Sequence, residues 1–373
     1  MTPAPAAVGQ TGAGPGDLVL RAEHVSVEYA GDPPTRAVRD VSLELRRGEV
    51  LGIAGESGCG KTTLAYALAR LLRPPAQLTG GAIRFYGRDG GEPTDIMALD
   101  PGALRRFRWA KVSMVFQSAM NALNPVISLR KQFADIFAEH VPDMDSAARE
   151  QRSRELLEMV GLDPDRIRSF PHELSGGMRQ RVVIAMALAL RPEIVIMDEP
   201  TTALDVVVQQ EILDEIGRLR DEIGFSIIFI THDLSLLLDI SDRLAVMYAG
   251  EIVEYGPSEL LATRPAHPYT NALLRSFPEL RTERRELRGV PGSPPDLRLP
   301  IAGCAFAPRC DFAFDPCATR HPSLLPPSHA ADLAVPPGAW TVACHLHDPR
   351  LRPAGPPAEI ARPAGAVVAG EDR

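Results

Sequence analysis

The sequence predicts an α/β fold built on a largely parallel sheet, and three observations carry that prediction. Short, continuous apolar runs alternate with longer stretches of helical periodicity. A glycine-rich stretch, GESGCGKT at 55–62, lies between one such run and one such helix. A second apolar run, IVIMDE at 194–199, ends in two acids. Strands alternating with helices indicate a parallel sheet, and a strand buried on both faces needs no polar side.

Taken in order, LVLRAEHVSVEYA (18–30) alternates apolar and polar residues like a half-exposed strand. EVLGIAG (49–55) reads as a buried strand, and TTLAYALARLL (62–72) as a helix with no breaker before Pro74. Further buried strands are expected at 111–117, 193–199, 225–233 and 243–256, and helices at 147–161, 178–190 and 206–222. From 265 the texture changes to dense Pro and Arg with few long apolar segments. The expected organisation is a disordered leader (1–17), a main domain (18–264), an irregular extension (265–349) and a disordered end (350–373). No internal repeat is visible.

With 373 residues, 45% of them apolar, the chain can bury a sizeable core. A net charge of −8 argues against a protein that lives on nucleic acid. The longest apolar run, VVIAMALAL at 182–190, is bracketed by Arg181 and Arg191 and is about half the roughly 18 residues that span a bilayer. The N-terminus has neither a basic start nor an apolar core, so no secretory signal is expected there. The expected compartment is the cytosol, where thiols stay reduced.

GESGCGKT fits the phosphate loop G-x-x-x-x-G-K-[ST] at every fixed position. Gly55, Gly58 and Gly60 let the backbone curl so that its N–H groups face phosphate oxygens, and the helix starting near Lys61 adds its positive end. Lys61 is expected to reach the β- and γ-phosphates, with the Thr62 hydroxyl on Mg²⁺. Ser57, Cys59 and Thr63 complete the nucleotide-binding stretch, Cys59 as a small spacer rather than a nucleophile. Asp198, at the end of its strand, suits a second hold on Mg²⁺, and Glu199 is placed to take a proton from water attacking the γ-phosphate. Two adjacent acids would equally cap a helix; the phosphate loop in the same chain favours catalysis.

LSGGMRQR (174–181), with the phosphate loop and MDEPTTALD (197–205), resembles the nucleotide-binding subunits of ABC transporters over residues 18–265. LSGG alone would read as a helix cap. The resemblance implies a RecA-like core with a helical signature subdomain at about 118–190, and a head-to-tail pair holding two ATP molecules. It implies that Ser175, Gly176 and Gly177 contact the γ-phosphate bound on the partner domain. Gln117 is similar to the family's Q-loop glutamine, which senses Mg²⁺ and the attacking water, and His232 to the switch histidine on the γ-phosphate. Asp205 resembles the D-loop aspartate at the dimer seam. Tyr29 is the candidate for stacking on adenine, although a plain strand tyrosine fits as well. Together these imply a hydrolysis-competent half-site.

QSAMNALNPV after Gln117, FPHELSGGMRQR, and RPAHPYTNALLRSFP at 264–278 resemble the oligopeptide and dipeptide importer branch. That branch implies a heterodimer with a second related ABC ATPase, two membrane permeases and an external peptide-binding protein, at the cytoplasmic face of the cell membrane. Similar subunits serve nickel, glutathione or oligosaccharide uptake. A soluble ABC ATPase acting on DNA or ribosomes is disfavoured by the single phosphate loop, the single LSGG and the absence of a heptad run. A groove near residues 117–130 is expected to pass closure of the ATPase pair to the permeases.

Four of the five cysteines fall in the extension: Cys304, Cys310, Cys317 and Cys344. A reducing compartment disfavours disulfides. Four thiolates suit Zn²⁺ or a [4Fe–4S] cluster, and spacing alone does not choose. The extension resembles peptide-importer ATPases whose tails carry an iron–sulfur cluster, which ranks iron above zinc. His345 and His347 are alternative ligands. With so few apolar segments nearby, a metal core is expected to replace a hydrophobic one.

Overall fold

The computed structural model describes residues 18–117, 122–202, 204–276, 289–333 and 335–360. The leader 1–17, residues 118–121 of the expected groove and residues 361–373 of the expected disordered end lie outside the described residues.

The chain opens with β1 (Leu18–Tyr29), β2 (Thr35–Arg46) and β3 (Val50–Ala54), then the phosphate loop and α1 (Lys61–Leu68). β4 (Ala76–Phe85), β5 (Thr94–Asp95), α2 (Pro101–Phe107) and β6 (Val112–Val115) follow. A helical arm comprises α3 (Leu129–His140), α4 (Ser146–Met159) and α5 (Gly176–Ala187). The chain then returns through β7 (Ile194–Asp198), α6 (Val206–Ile223), β8 (Ser226–Ile230), α7 (Leu234–Ile240), β9 (Arg243–Tyr248) and β10 (Glu251–Pro257). Beyond lie α8 (Ser258–Thr263), α9 (Pro268–Arg275), α10 (Asp315–Thr319) and β11 (Thr341–Val342).

The main sheet has the order β11-β10-β9-β3-β8-β7-β6. β6, β7, β8, β3 and β9 run parallel; at one edge β10 is antiparallel to β9, and β11 antiparallel to β10. An antiparallel sheet, β2-β1-β4-β5, covers one face. Alternation through the central strands explains their unbroken apolar character. Leu51, Ile53, Ile194, Ile196, Ile228 and Ile230 join the core beneath the antiparallel sheet and α1. Their neighbours Val50, Val195, Met197, Ile227 and Phe229 join the core on the opposite face. A period of two thus feeds two layers.

The stretch 243–256, expected as one strand, is a hairpin, turned at Ala249 and Gly250, which both take positive φ. β2 and β4 were not expected, and 76–85 is too rich in glycine and polar residues to read as a strand.

The extension differs more from expectation. Phe306, Trp340, Val342, Leu346 and Ile360 belong to the same apolar core as the sheet, so the extension covers that face and shares its core. β11 pairs with β10 through Glu254↔Val342 and Tyr255↔Thr341. The fully buried Glu254 fastens it, accepting hydrogen bonds from Ala266 N (2.8 Å), His267 N (2.9 Å) and Trp340 Nε1 (3.1 Å). Gly256 is needed beneath that indole, because a Cβ there would lie 2.7 Å from Trp340 Cδ1. The disordered end expected from 350 is packed as far as 360: Ile360 is buried and Asn271 Nδ2 donates to its carbonyl at 2.8 Å.

Candidate functional site

The phosphate loop joins the buried strand β3 to α1. At Gly60 φ is +107°, and an added Cβ would sit 2.2 Å from Ala37 O, so only glycine fits both the conformation and the space. Gly55 and Gly58 also take positive φ. Lys61, 6% exposed, curls back beneath the loop and donates to Gly55 O (2.7 Å) and Glu56 O (3.0 Å). These carbonyls occupy the ammonium, which is the group expected to meet phosphate. Ser57 is exposed on the loop. Cys59 is buried, burial pushes its thiol up, and its Sγ packs where Gly55 lacks a side chain. Tyr29 OH is 3.0 Å from Thr63 Oγ1, which sets the ring beside the start of α1.

Two adjacent strands bring the acids to this loop. Asp198 ends β7 fully buried, and Thr62 Oγ1 donates to its Oδ1 at 3.2 Å. Its Oδ2 is buried without a hydrogen-bond partner. Desolvation, reinforced by the Glu199 charge, pushes this carboxyl up against the pull of Thr62 and Lys61. An orphaned buried carboxylate oxygen beside a hydroxyl fits a cation.

Glu199 has φ +46°, a strained conformation for a non-glycine residue. Its carboxylate is the meeting point of three loops. Gln117 Nε2 donates to Oε2 at 3.0 Å, Thr202 Oγ1 donates to Oε2 at 3.1 Å, and His232 Nδ1 lies 3.2 Å from Oε1. Gln117 follows β6, Glu199 follows β7 and His232 follows β8, three consecutive neighbours in the sheet. The parallel topology therefore sets their C-terminal ends side by side, at the edge of the sheet where ligands of α/β folds bind. Thr202 was not expected; its position three residues after Glu199 is the only signal the sequence carries for it.

The signature residues stand apart. Ser175 caps α5, its Oγ accepting from Met178 N at 3.3 Å, and is exposed. Among the described residues, Ser175, Gly176 and Gly177 make no hydrogen bond to the phosphate loop. Asp205 caps α6, accepting from Val208 N at 3.0 Å, and is followed by the exposed Val206 and Val207.

Cys304, Cys310, Cys317 and Cys344 line one pocket, with Phe306 and His267, enclosing about 290 Å³ of space including its mouth. None is in a disulfide. Burial pushes the thiols of Cys304 and Cys310 up to about 11 each, and that of Cys344 up as well, with the neighbouring cysteines adding to the shift in all three. Among the described residues, no group of three or more His, Cys, Asp or Glu side chains is gathered tightly enough to hold a metal ion. His345 and His347 are committed elsewhere, their Nε2 atoms lying 2.8 Å from Arg320 O and 2.9 Å from Ala266 O. No helix among the described residues is long and apolar enough to cross a membrane.

Comparison with known proteins agrees with this geometry. The ABC transporter family model matches residues 38–202, and the oligopeptide/dipeptide transporter C-terminal region matches 253–317. The chain is 42% identical over 322 residues to the probable peptide ABC transporter ATP-binding protein y4tR of Sinorhizobium fredii, covering 84% of this chain and 94% of that protein. It is 45% identical over 289 residues to the oligopeptide transport ATP-binding protein OppD of Bacillus subtilis, covering 76% and 78% respectively. To the dipeptide transport ATP-binding protein DppD of the same organism it is 40% identical, covering 90% and 96%. The dimeric ATP-binding cassette MJ0796, solved in a post-hydrolysis state with ADP and Pi, superposes with a TM-score of 0.55 at 28% identity, covering 64% of this chain and 98% of that one. The chain belongs to the ATP-binding subunits of ABC transporters, in the oligopeptide and dipeptide branch, and is an ATPase coupled to transport.

Proposed function

We propose that the chain hydrolyses ATP, paired with a second related ABC ATPase, to drive import of di- and oligopeptides through two membrane permeases. It would work at the cytoplasmic face of the cell membrane, with an external peptide-binding protein supplying substrate. The observation that carries the hydrolytic reading is the convergence of Gln117, Thr202 and His232 on Glu199, beside Thr62 and Asp198. The peptide assignment rests on the C-terminal region and on the relatives' names.

In this reading Gly55, Gly58 and Gly60 present backbone N–H groups to the phosphates, and Lys61 exchanges its carbonyl partners for phosphate oxygens. Tyr29 stacks on adenine. Thr62, Gln117 and Asp198 would hold Mg²⁺, which neutralises phosphate charge when bound. Glu199 takes a proton from water as the water oxygen bonds to the γ-phosphorus and the bond to the bridging oxygen of ADP breaks. Gln117 and Thr202 fix the carboxylate, and His232 lies on its other oxygen, placed to meet the γ-phosphate. Ser175, Gly176 and Gly177 complete the site of the partner ATPase, with Asp205 at the seam. Closure would reach the permeases through the surface near 117–130, part of which lies outside the described residues.

We further read the four-cysteine pocket as the seat of a [4Fe–4S] cluster. Four thiols line one pocket, and the extension's resemblance to peptide-importer ATPases whose tails carry such a cluster favours iron over zinc.

Glu199→Gln tests the base: it should bind ATP normally, lose turnover by about 10²-fold or more, and accumulate as a closed dimer. Turnover at the wild-type rate would refute the role. Peptide uptake should cease in cells lacking the chain and return with it; unchanged uptake would sink the substrate assignment. Protein purified without air should be brown and contain about four irons per chain; a colourless zinc protein would remove the cluster.

A further inference from the structure

Glu56, the first variable residue of the phosphate loop, is held from three sides. Its carbonyl accepts from Lys61 Nζ at 3.0 Å, within the loop itself. The other two holds come from beyond residue 265. The Tyr269 hydroxyl accepts from Glu56 N at 2.9 Å. Arg309 grips the carboxylate with both arms, Nη1 on Oε2 at 2.6 Å and Nη2 on Oε1 at 2.9 Å.

Arg309 is built into this position. Its side chain is 5% exposed. Nε donates to Pro291 O at 2.7 Å, Nη2 also donates to Val290 O at 3.1 Å, and Nη1 to Tyr248 OH at 3.2 Å. The guanidinium lies over the rings of Tyr248 and Phe306, at 5.7 and 5.9 Å. A planar fork with every arm engaged is a geometry that lysine does not reproduce.

The same short turn, Ala307–Arg309, sits between Cys304 and Cys310. Phe306 and Ala307 line the four-cysteine pocket, while Arg309 points the other way, to the phosphate loop. Phe306 also packs on Tyr248 and Tyr269, with ring centroids 5.3 Å apart in both pairs. One rigid turn therefore forms a wall of the pocket and the clamp on the nucleotide loop.

We propose that Arg309 is a positioning residue for ATP binding, which ties the ordering of the four-cysteine pocket to the conformation of the phosphate loop. The coupling half of this proposal rests on the cluster reading above. When the Cys304–Cys310 turn is fixed, Arg309 holds Glu56 and the loop stays in its nucleotide-ready curl. When the turn is loosened, Glu56 is released and the ready conformation is populated less often. Apparent affinity falls by that fraction, whereas turnover at saturating ATP, governed by Glu199 and its partners, does not.

The test uses the full chain, purified without air, with a non-hydrolysable ATP analogue and Mg²⁺ titrated by calorimetry, alongside iron content and steady-state hydrolysis. Arg309→Ala is expected to weaken analogue binding and raise KM about tenfold, with kcat within about twofold and iron content unchanged. Arg309→Lys should recover only part of the affinity; it also serves as the second variant should the alanine protein not fold. Glu56→Ala should lose as much as Arg309→Ala, and the double variant no more, because both remove one link. Stripping the iron from the wild type should produce the same loss, and stripping it from Arg309→Ala should add none. Wild-type affinity in Arg309→Ala, or additive losses in the double variant, would overturn the clamp. Unchanged affinity after iron removal would overturn the coupling. A wild type without iron would overturn both the cluster reading and the coupling, leaving the clamp to be judged by the Arg309 and Glu56 variants alone.

Discussion

Replacing Glu254 with methionine would test how the extension is fastened to the sheet. The side chain keeps its length and loses both oxygens, so the three donors Ala266 N, His267 N and Trp340 Nε1 lose their acceptor together. Each buried donor left unpaired costs about 1–3 kcal/mol, which gives roughly 3–9 kcal/mol before compensation. Against this stands the desolvation cost the wild type already bears: burial pushes the Glu254 carboxyl up, opposed by its hydrogen bonds. Relief of that cost returns several kcal/mol at most, so the net loss falls near the lower end, about 3–5 kcal/mol. Glu254→Gln separates the two effects. Its one carbonyl oxygen can keep the Ala266 and Trp340 donors, which share Oε1, but its amide then faces the His267 N–H, donor against donor. About half the loss is expected, with the charge gone in both variants. Urea unfolding followed by tryptophan fluorescence reports directly, since Trp340 is one of only two tryptophans in the chain. A loss below about 1 kcal/mol for methionine, or equal losses for the two variants, would refute the reasoning.

Three further outcomes follow from the site and its surroundings. Gly60→Ala forces a Cβ to within 2.2 Å of Ala37 O at φ +107°, and should abolish measurable ATP binding and lower the melting temperature. Asp198→Asn removes a buried carboxylate with an unpartnered oxygen; the nucleotide-free protein should melt about 1–3 °C higher while Mg²⁺-dependent hydrolysis is lost, by differential scanning calorimetry and phosphate release. His347 is pushed down to about 4 from 6.5 by burial, and its Nδ1 accepts from Ser328 N at 3.1 Å, the position a second proton would need. A depressed histidine contributes stability that is full above pH 6.5 and lost as pH falls from there towards 4. The chain should therefore lose on the order of 3 kcal/mol across that window, and His347→Gln should flatten the slope in acid denaturation.

Much of the nucleotide half was legible because its chemistry dictates local patterns. A loop that curls around phosphate needs glycines at fixed places, a parallel central strand must be apolar throughout, and an acid at its end stands out against that background. Thus Gly60, Lys61, Asp198 and Glu199 could be named from spacing, and the resemblance supplied Gln117 and His232. Thr202 was missed because the second threonine of Glu-Pro-Thr-Thr has no distinguishing pattern. The antiparallel strand β4 was missed because two glycines and several polar residues hide it, and the 243–256 hairpin because its turn at Ala249 and Gly250 interrupts a single apolar texture. The packing of 350–360 was invisible, since Pro-rich sequence reads as disordered until a buried surface such as that around Ile360 is available to receive it.

The sequence by itself determined the class of chemistry: a phosphate loop, a strand-end acid pair, a signature helix, and four cysteines set apart in the last fifth of the chain. These are local properties, written in residues a few positions apart. Only the tertiary structure decided which distant residues meet. Glu56 and Arg309 are 253 positions apart. Glu254 and Trp340 are 86 apart. No periodicity relates such pairs, because they are brought together by the order of strands in the sheet and by the extension folding back across its face. What read as a separate metal-organised tail is, in three dimensions, a wall of the core and a hold on the phosphate loop.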